Sequence, residues 1–144
     1  MPTELVDGLL PPGLHCADWD DVVRRFVFTP RRVWLLAGLH DALHELARVG
    51  CELIYLDGSF VTDKAVPGDY DLCWDLTRVE LARIDPIFLD VKPPRAAQHA
   101  KYRGDLLPNI TEATSGMPFV DFFQIDKNSG KAKGVLTLDP RRVP

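Results

Sequence analysis

The chain has 144 residues, of which 46% are hydrophobic and 26% are charged, and its formal net charge at pH 7 is -4. This composition is that of a single globular domain, and the negative charge argues against general coating of nucleic acid. Charged residues interrupt every apolar run before ~18 residues, so no membrane span is expected. The start of the chain lacks a secretory pattern, and its three cysteines are widely spaced, which together predict a cytoplasmic protein with reduced thiols.

The first third of the chain predicts an arm followed by two helices. Residues 1–14 contain three prolines and two glycines and are expected to form an extended N-terminal arm, with one domain over 15–144. Asp18 is typical of a helix cap and predicts a short helix after it. Thr29-Pro30 predicts a longer helix, because threonine caps and proline fits the first helical position. The apolar stripe expected on this helix is Val33, Leu36, Leu39, Leu43, Leu46 and Ala47.

Two short strands are predicted around a turn. Residues 52–57 are typical of a strand, which runs directly into Gly58-Ser59. Residues 69–76 alternate strictly, so their side chains are expected on two different faces. One face carries Asp69, Asp71, Cys73 and Asp75, and the other carries Tyr70, Leu72, Trp74 and Leu76. The apolar face is expected on the core, and the acidic face toward solvent or a site.

The remaining sequence predicts more strands and a basic segment. A short strand is expected at 86–91, and a basic, partly helical segment at 92–103. The apolar run 117–126 is typical of a central strand. A hairpin turn at 128–130 then leads to a last strand at 134–138. Helices followed by mixed strands and short helices predict an α+β fold, with helices packed on a mixed β-sheet.

The acidic face and the turn before it predict a cation and phosphate site. Asp69 and Asp71 are two residues apart on one strand, so both carboxylates project from the same face and repel unless a cation separates them. Mg²⁺ prefers oxygen ligands of this kind. Gly58 would let the backbone approach a phosphate, and the Ser59 hydroxyl could donate to it. The alternative is an exposed acidic strand without a metal.

Gly58-Ser59, nine residues and then Asp69-Tyr70-Asp71 resembles the signature of the nucleotidyltransferase superfamily. The segments LDGSFVTDKAVPGDYDLCWD and FFQIDKNSGKAKGVLTLD are similar to a little-characterised bacterial family of nucleotidyltransferase-like proteins, over about 14–138. The resemblance implies a minimal nucleotidyltransferase fold and a pair of metal ions on a triphosphate. It also implies attack of a hydroxyl on the α-phosphate, and it leaves the substrate open.

A third metal-binding carboxylate is then expected on a neighbouring strand, and Asp121 is the predicted residue. Apolar neighbours on both sides would bury it, and an ionised carboxylate there needs a metal or an ion-pair partner. A buried salt bridge is the alternative. Asp126 is a rival at the edge of the predicted strand, where a surface carboxylate is common.

Basic residues are candidates to contact the triphosphate. Arg95 and Lys101 belong to the segment 92–103, which has no acidic residue, and Lys64 follows the Gly-Ser turn closely. Such cations could neutralise a triphosphate or contact an acceptor RNA. A solvated basic helix face is the alternative. The lysines of the predicted hairpin are expected only to be solubilising: Lys127, Lys131 and Lys133.

The predicted function is metal-dependent transfer of a nucleotide from a nucleoside triphosphate to a protein or RNA hydroxyl, with one or two Mg²⁺ ions. The resemblance further implies a cognate partner protein, as in a toxin–antitoxin or phage-defence pair. One alternative is an inactive domain of the same fold that serves as a binding or antitoxin subunit. Another is a metal-dependent nuclease that uses the same carboxylates and needs no triphosphate.

Overall fold

A computed structural model describes residues 4–110, 118–122, 124–125, 130 and 132–144, and of Phe122 the backbone only. In this part of the chain the helices are α1 (Trp19–Phe26), α2 (Pro30–Arg48), α3 (Ala96–Tyr102) and α4 (Phe119–Phe122). The strands are β1 (Gly13–Cys16), β2 (Ile54–Asp57), β3 (Asp71–Trp74), β4 (Asp105–Pro108) and β5 (Gly134–Leu138). The helices pack on one mixed sheet, which confirms the predicted α+β class. None of the described helices has the length and apolarity needed to cross a membrane.

The two predicted N-terminal helices begin at their predicted caps. Asp18 and Asp21 each accept a hydrogen bond from the other's backbone N–H, which forms a capping box for α1. The Thr29 side chain accepts from the backbone N–H of Arg32, and Pro30 takes the first position of α2. Local side-chain chemistry therefore fixes both helix starts.

The buried stripe of α2 lies differently from the predicted one. Its buried residues are Arg32, Leu35, Gly38, Leu39, Ala42, Leu43 and Leu46. Val33 is 55% exposed. At about 100° per residue, Val33 lies about 120° around the helix from Leu39, which is 0% exposed, and so faces solvent.

The sheet has the strand order β1-β5-β2-β3-β4. Strand β2 lies in the centre and is antiparallel to both β3 and β5. Strand β4 is parallel to β3, and β1 is parallel to β5. The sequence did not predict β4. The last two residues of the predicted arm, Gly13 and Leu14, belong to β1, and Leu10 before them is buried, so part of the arm is built into the domain.

Two predicted strands are wrong. The 86–91 segment contains a 3-10 helix, Pro86–Leu89, because Asp85 caps the Ile87 N–H and proline fits the first position. The centre of the 117–126 segment is helix α4, in which Asp121 falls in the first turn, where a negative charge favours a helix. Residues 117, 123 and 126–129 lie outside the described residues, and with them most of the predicted hairpin turn.

The sheet has two faces of different character. The face under α1 and α2 carries the main core, with Ile54, Leu56, Tyr70, Leu72, Trp74, Leu106, Leu136 and Leu138. The opposite face carries a small cluster of Cys73, Leu107 and Val135, against which Tyr55, Val91 and Phe119 pack. The predicted alternation of β3 is therefore confirmed, with Tyr70, Leu72 and Trp74 in the core and Cys73 on the other face.

Close approach between α2 and α3 depends on Gly38. A Cβ at this position would overlap the backbone carbonyl oxygen of Tyr102. We expect Gly38→Ala to lower the free energy of unfolding by about 1–3 kcal/mol, because a backbone atom must move to accommodate the methyl group. Gly68→Ala is the control, since a Cβ there meets no atom within 4 Å. Urea unfolding of both variants tests this, and equal stability of Gly38→Ala and wild type would contradict it.

Candidate functional site

Three aspartates from neighbouring strands form a row. The register pairs Asp57 at the end of β2 with Asp71 at the start of β3, and pairs Asp71 with Asp105 at the start of β4. Residues paired across adjacent strands project from the same face, and neighbouring strands lie only about 4.8 Å apart. Asp69, two residues before Asp71, brings a fourth carboxylate close to Asp105. The face opposite the main core therefore carries a concentrated negative charge at the ends of these strands.

Asp71 lies at the centre of this acidic row. The residue as a whole is half-buried, but its carboxyl group is enclosed by the neighbouring acids. Burial, then the charges of Asp69 and Asp105, and last Asp57 raise the pKa of Asp71 to about 8. Without a cation, Asp71 is therefore largely protonated at neutral pH and bonded to Asp105.

The Gly-Ser turn lies directly against Asp71. Gly58 has φ +84°, and a Cβ there would lie 2.8 Å from Asp71 Oδ2. Both the backbone conformation and this close contact require glycine. Ser59 follows as the first residue of a 3-10 helix, Ser59–Val61, and is half-buried. The two halves of the sequence motif thus meet where Gly58 lies against Asp71.

His99 of α3 and Arg95, the residue before this helix, face the acidic row. His99 Nε2 lies 2.7 Å from Asp105 Oδ1 and 3.8 Å from Asp69 Oδ2. An Arg95 guanidinium nitrogen lies 3.5 Å from Asp105 Oδ1. The His99 N–H donates to the Arg95 carbonyl oxygen at 3.1 Å, so both residues lie at the first turn of the helix. Lys101 does not join them, because its ammonium group binds Asp85 at 2.6 Å on another side.

Lys133 is a further cation at the row, and the prediction that it is only solubilising is wrong. Its side chain is 14% exposed, and its ammonium nitrogen lies 3.0 Å from Asp57 Oδ2. Lys127 and Lys131 are outside the described residues. Lys133 immediately precedes β5, the other neighbour of β2, so sheet pairing brings it beside Asp57.

The structure places Asp121 and Lys64 differently from the other predicted site residues. Asp121 is exposed on α4, so the reason given for a buried, metal-bound carboxylate there does not hold. Among the described residues, the side chains that converge as a candidate metal-binding group are Asp69, His99 and Asp105. Asp126 lies outside those residues. Lys64 is exposed in the loop after the Gly-Ser turn.

A family model matches residues 2–139, and its description is a family of unknown function, DUF6932. The chain belongs to the DUF6932 family. No curated protein and no solved structure matches the chain. A functional proposal for this DUF6932 domain must therefore come from the geometry and chemistry of its site.

Arg32 shapes the Gly-Ser turn of this DUF6932 domain, and sequence reasoning missed it. Arg32 is 0% exposed, and burial lowers the pKa of its guanidinium. It donates hydrogen bonds of 2.5–3.1 Å to the carbonyl oxygens of Phe26, Ser59, Phe60, Thr62 and Lys64. The loop after β2 is therefore held in shape from the first turn of α2. The available signal was the position of Arg32, seven residues before Leu39 on the buried stripe.

We expect Arg32→Met to lower the free energy of unfolding by at least about 3 kcal/mol. The substitution removes the donor for five carbonyl groups, of which the buried ones lose their hydrogen bonds. Arg142→Met is the control, because the Arg142 side chain is 84% exposed. Chemical unfolding followed by circular dichroism measures both changes. A loss below about 1 kcal/mol for Arg32→Met would contradict the anchoring role.

The acidic row also predicts a pH-dependent stability in the absence of metal. Asp71 has a pKa of about 8 in the folded protein and an ordinary value of 3.8. Folding therefore takes up a proton at Asp71 between these values, and stability falls as the pH rises from about 4 to about 8. Asp71→Asn mimics the protonated form and should lack this loss. Between pH 5 and pH 8 in EDTA, its stability should rise relative to wild type by on the order of 3 kcal/mol.

Urea unfolding of wild type and Asp71→Asn at several pH values measures this difference. Asp121→Asn is the matched control on an exposed carboxylate and should follow the wild-type profile. Parallel profiles for Asp71→Asn and wild type would show that Asp71 is already ionised at neutral pH.

Proposed function

We propose that this DUF6932 chain is a metal-dependent nucleotidyltransferase that moves a nucleotide from a nucleoside triphosphate to a protein or RNA hydroxyl. The observation that carries the proposal is the contact of Gly58 with the Asp71 carboxylate. It puts a turn suited to phosphate beside carboxylates suited to a metal. The proposal includes a cytoplasmic location and a cognate partner protein, as in a toxin–antitoxin or phage-defence pair.

The donor set fits a divalent cation such as Mg²⁺. Carboxylate oxygens are its preferred protein ligands, and Asp69, Asp71 and Asp105 offer them at one place. In the described part of the chain no Lys or Arg side chain contacts Asp71, whereas Asp57 has Lys133. We therefore assign Asp105, in place of Asp121, as the third metal-binding carboxylate. When bound, the metal would act as a Lewis acid on the α-phosphate and orient the triphosphate.

The chain's own residues would bind the triphosphate and orient it. Gly58 leaves room for the Asp71 carboxylate beside the turn, and the Ser59 hydroxyl would donate to a phosphate oxygen. Arg95 beside Asp105 is the cation that we assign to the phosphates, with Lys64 as an exposed second contact. Lys101, bound to Asp85, is not assigned.

The transfer step forms one bond and breaks one. The acceptor hydroxyl oxygen bonds to the α-phosphorus, while the bond from that phosphorus to the oxygen that bridges to the β-phosphate breaks. Pyrophosphate leaves with the bonding electron pair, and the hydroxyl proton passes to water. This in-line geometry requires the triphosphate to be held rigidly, which supports a role for the anchored Gly-Ser turn.

Asp105 and Asp121 give the decisive comparison for this function. We expect Asp105→Asn to abolish Mg²⁺-dependent triphosphate binding, because it removes a carboxylate from the metal site. Asp121→Asn should bind as wild type does, since Asp121 is exposed on α4. Calorimetric titration with each nucleoside triphosphate measures binding, and transfer of label from each α-labelled triphosphate in a cell lysate reveals the acceptor.

The other outcomes identify the competing functions. Cleavage of nucleic acid without any triphosphate, lost in Asp105→Asn, would indicate a nuclease. Folded protein that binds no triphosphate with metal would indicate a non-enzymatic binding subunit. Loss of transfer in Asp121→Asn with full activity in Asp105→Asn would reverse our assignment of the third carboxylate.

A further inference from the structure

The imidazole of His99 lies among carboxylates that face the proposed metal site. Its Nε2 atom, an oxygen of Asp69 and an oxygen of Asp105 all lie within 4.8 Å of one another. Ligand atoms at about 2.1 Å from a shared ion lie about 3 Å apart in octahedral geometry. The His99–Asp105 separation of 2.7 Å and the His99–Asp69 separation of 3.8 Å are close to that spacing.

We propose that His99 is a metal ligand, so that Asp69, His99 and Asp105 form a mixed nitrogen and oxygen site for a divalent transition-metal ion. Imidazole nitrogen is a poor ligand for Mg²⁺ and a good one for first-row transition metals, and carboxylates suit Mn²⁺ as well. The site should therefore prefer Mn²⁺ to Mg²⁺. This inference rests on the proposed function only for its consequence in catalysis, since metal binding can be measured without nucleotide.

The position of His99 is fixed by the residue before it. The Gln98 side chain is 0% exposed and makes a two-way contact with β4. Its amide nitrogen donates to the Leu106 carbonyl at 2.9 Å, and its amide oxygen accepts from the Leu106 N–H at 2.8 Å. Asp105 is the neighbour of Leu106, so this contact sets His99 opposite Asp105. The helix and strand residues of this ligand set, His99 and Asp105, are therefore largely preformed, and Asp69 lies two residues before β3.

Charge and access also favour a cation here. The side chains of Asp69 and His99 are 34% and 37% exposed, so an ion can reach them from solvent. Asp105 is shared by His99 and Arg95, and Asp69 adds a second carboxylate beside His99. An ion bound by Asp69, His99 and Asp105 would lie next to Asp71 and relieve its repulsion from both acids.

Pulsed electron paramagnetic resonance of the Mn²⁺-loaded wild-type protein tests the ligand directly. We expect modulation from a coordinated imidazole nitrogen, and its loss in His99→Asn. Titration without nucleotide should show Mn²⁺ binding at least about tenfold tighter than Mg²⁺. His99→Asn should lower the Mn²⁺ affinity about tenfold and change the Mg²⁺ affinity much less. His40→Asn is the control, because His40 lies on α2 and its imidazole contacts the Pro144 carbonyl oxygen instead.

The outcomes distinguish the ligand proposal from the proposed nucleotide transfer. Two results would show that His99 only pairs with Asp105 and does not bind the metal. One is Mn²⁺ binding without nitrogen modulation, and the other is an unchanged ratio of Mn²⁺ to Mg²⁺ affinity in His99→Asn. Nitrogen modulation that persists in His99→Asn and disappears in His40→Asn would show that the metal binds at His40 on α2. The first two results would leave the proposed nucleotide transfer intact, whereas the third would also contradict the metal site on which that transfer depends. Nitrogen modulation from His99 without triphosphate binding would support the ligand and refute the transferase.

Discussion

The register of β3 between β2 and β4 places Asp57, Asp71 and Asp105 side by side, and the site is arranged around the repulsion that results. The two outer carboxylates have cationic or ionisable neighbours, Lys133 on one side and His99 with Arg95 on the other. The central carboxylate contacts no Lys or Arg among the described residues and holds a proton. A carboxylic acid kept neutral by its neighbours is a common sign of a functional site, because stability alone does not favour such a cluster.

The Gly58-Ser59 turn beside Asp71 is held in place by residues that are far from it in the sequence. The buried guanidinium group of Arg32 lies under the loop and donates hydrogen bonds to its carbonyl oxygens. The loop is also tied to α2 at Thr29, whose hydroxyl donates to the Ala65 carbonyl, and at Arg31, which donates to Pro67 and Gly68. Gly58 and Asp69, at opposite ends of this loop, are therefore positioned by the first turn of one helix.

Local sequence signals correctly predicted the structural elements that depend mainly on residues close together in the sequence. The caps at Asp18 and Thr29 and the alternation of β3 are of this kind. Strand β4 was missed because Asp105–Pro108 has only four residues and ends in proline, which gives little strand signal in the sequence. Its pairing with β3 is what makes this segment a strand. With β4, the sequence analysis also missed Asp105.

The same limit explains why the expected burial of Asp121 was wrong. The apolar neighbours of Asp121 are real, but position in the first turn of a short helix leaves its side chain exposed. Lys133 shows the converse, since a lysine in a glycine- and lysine-rich stretch is half-buried beside Asp57 through sheet pairing. Whether each of these two side chains is buried or exposed depends on contacts between segments far apart in the sequence. The periodicity of a segment does not reveal such contacts.

The repulsion in the acidic row also connects metal binding to folding. In the metal-free protein, Asp71 ionises only at the expense of stability, because burial and then the neighbouring Asp69 and Asp105 raise its pKa. A cation that binds the folded state alone reverses this, and at one hundred times its dissociation constant it adds about 2.7 kcal/mol. The carboxylates that weaken the empty fold would thus be the ones that give the ion its affinity. Asp57 is the exception, because its carboxylate already pairs with the Lys133 ammonium group at 3.0 Å.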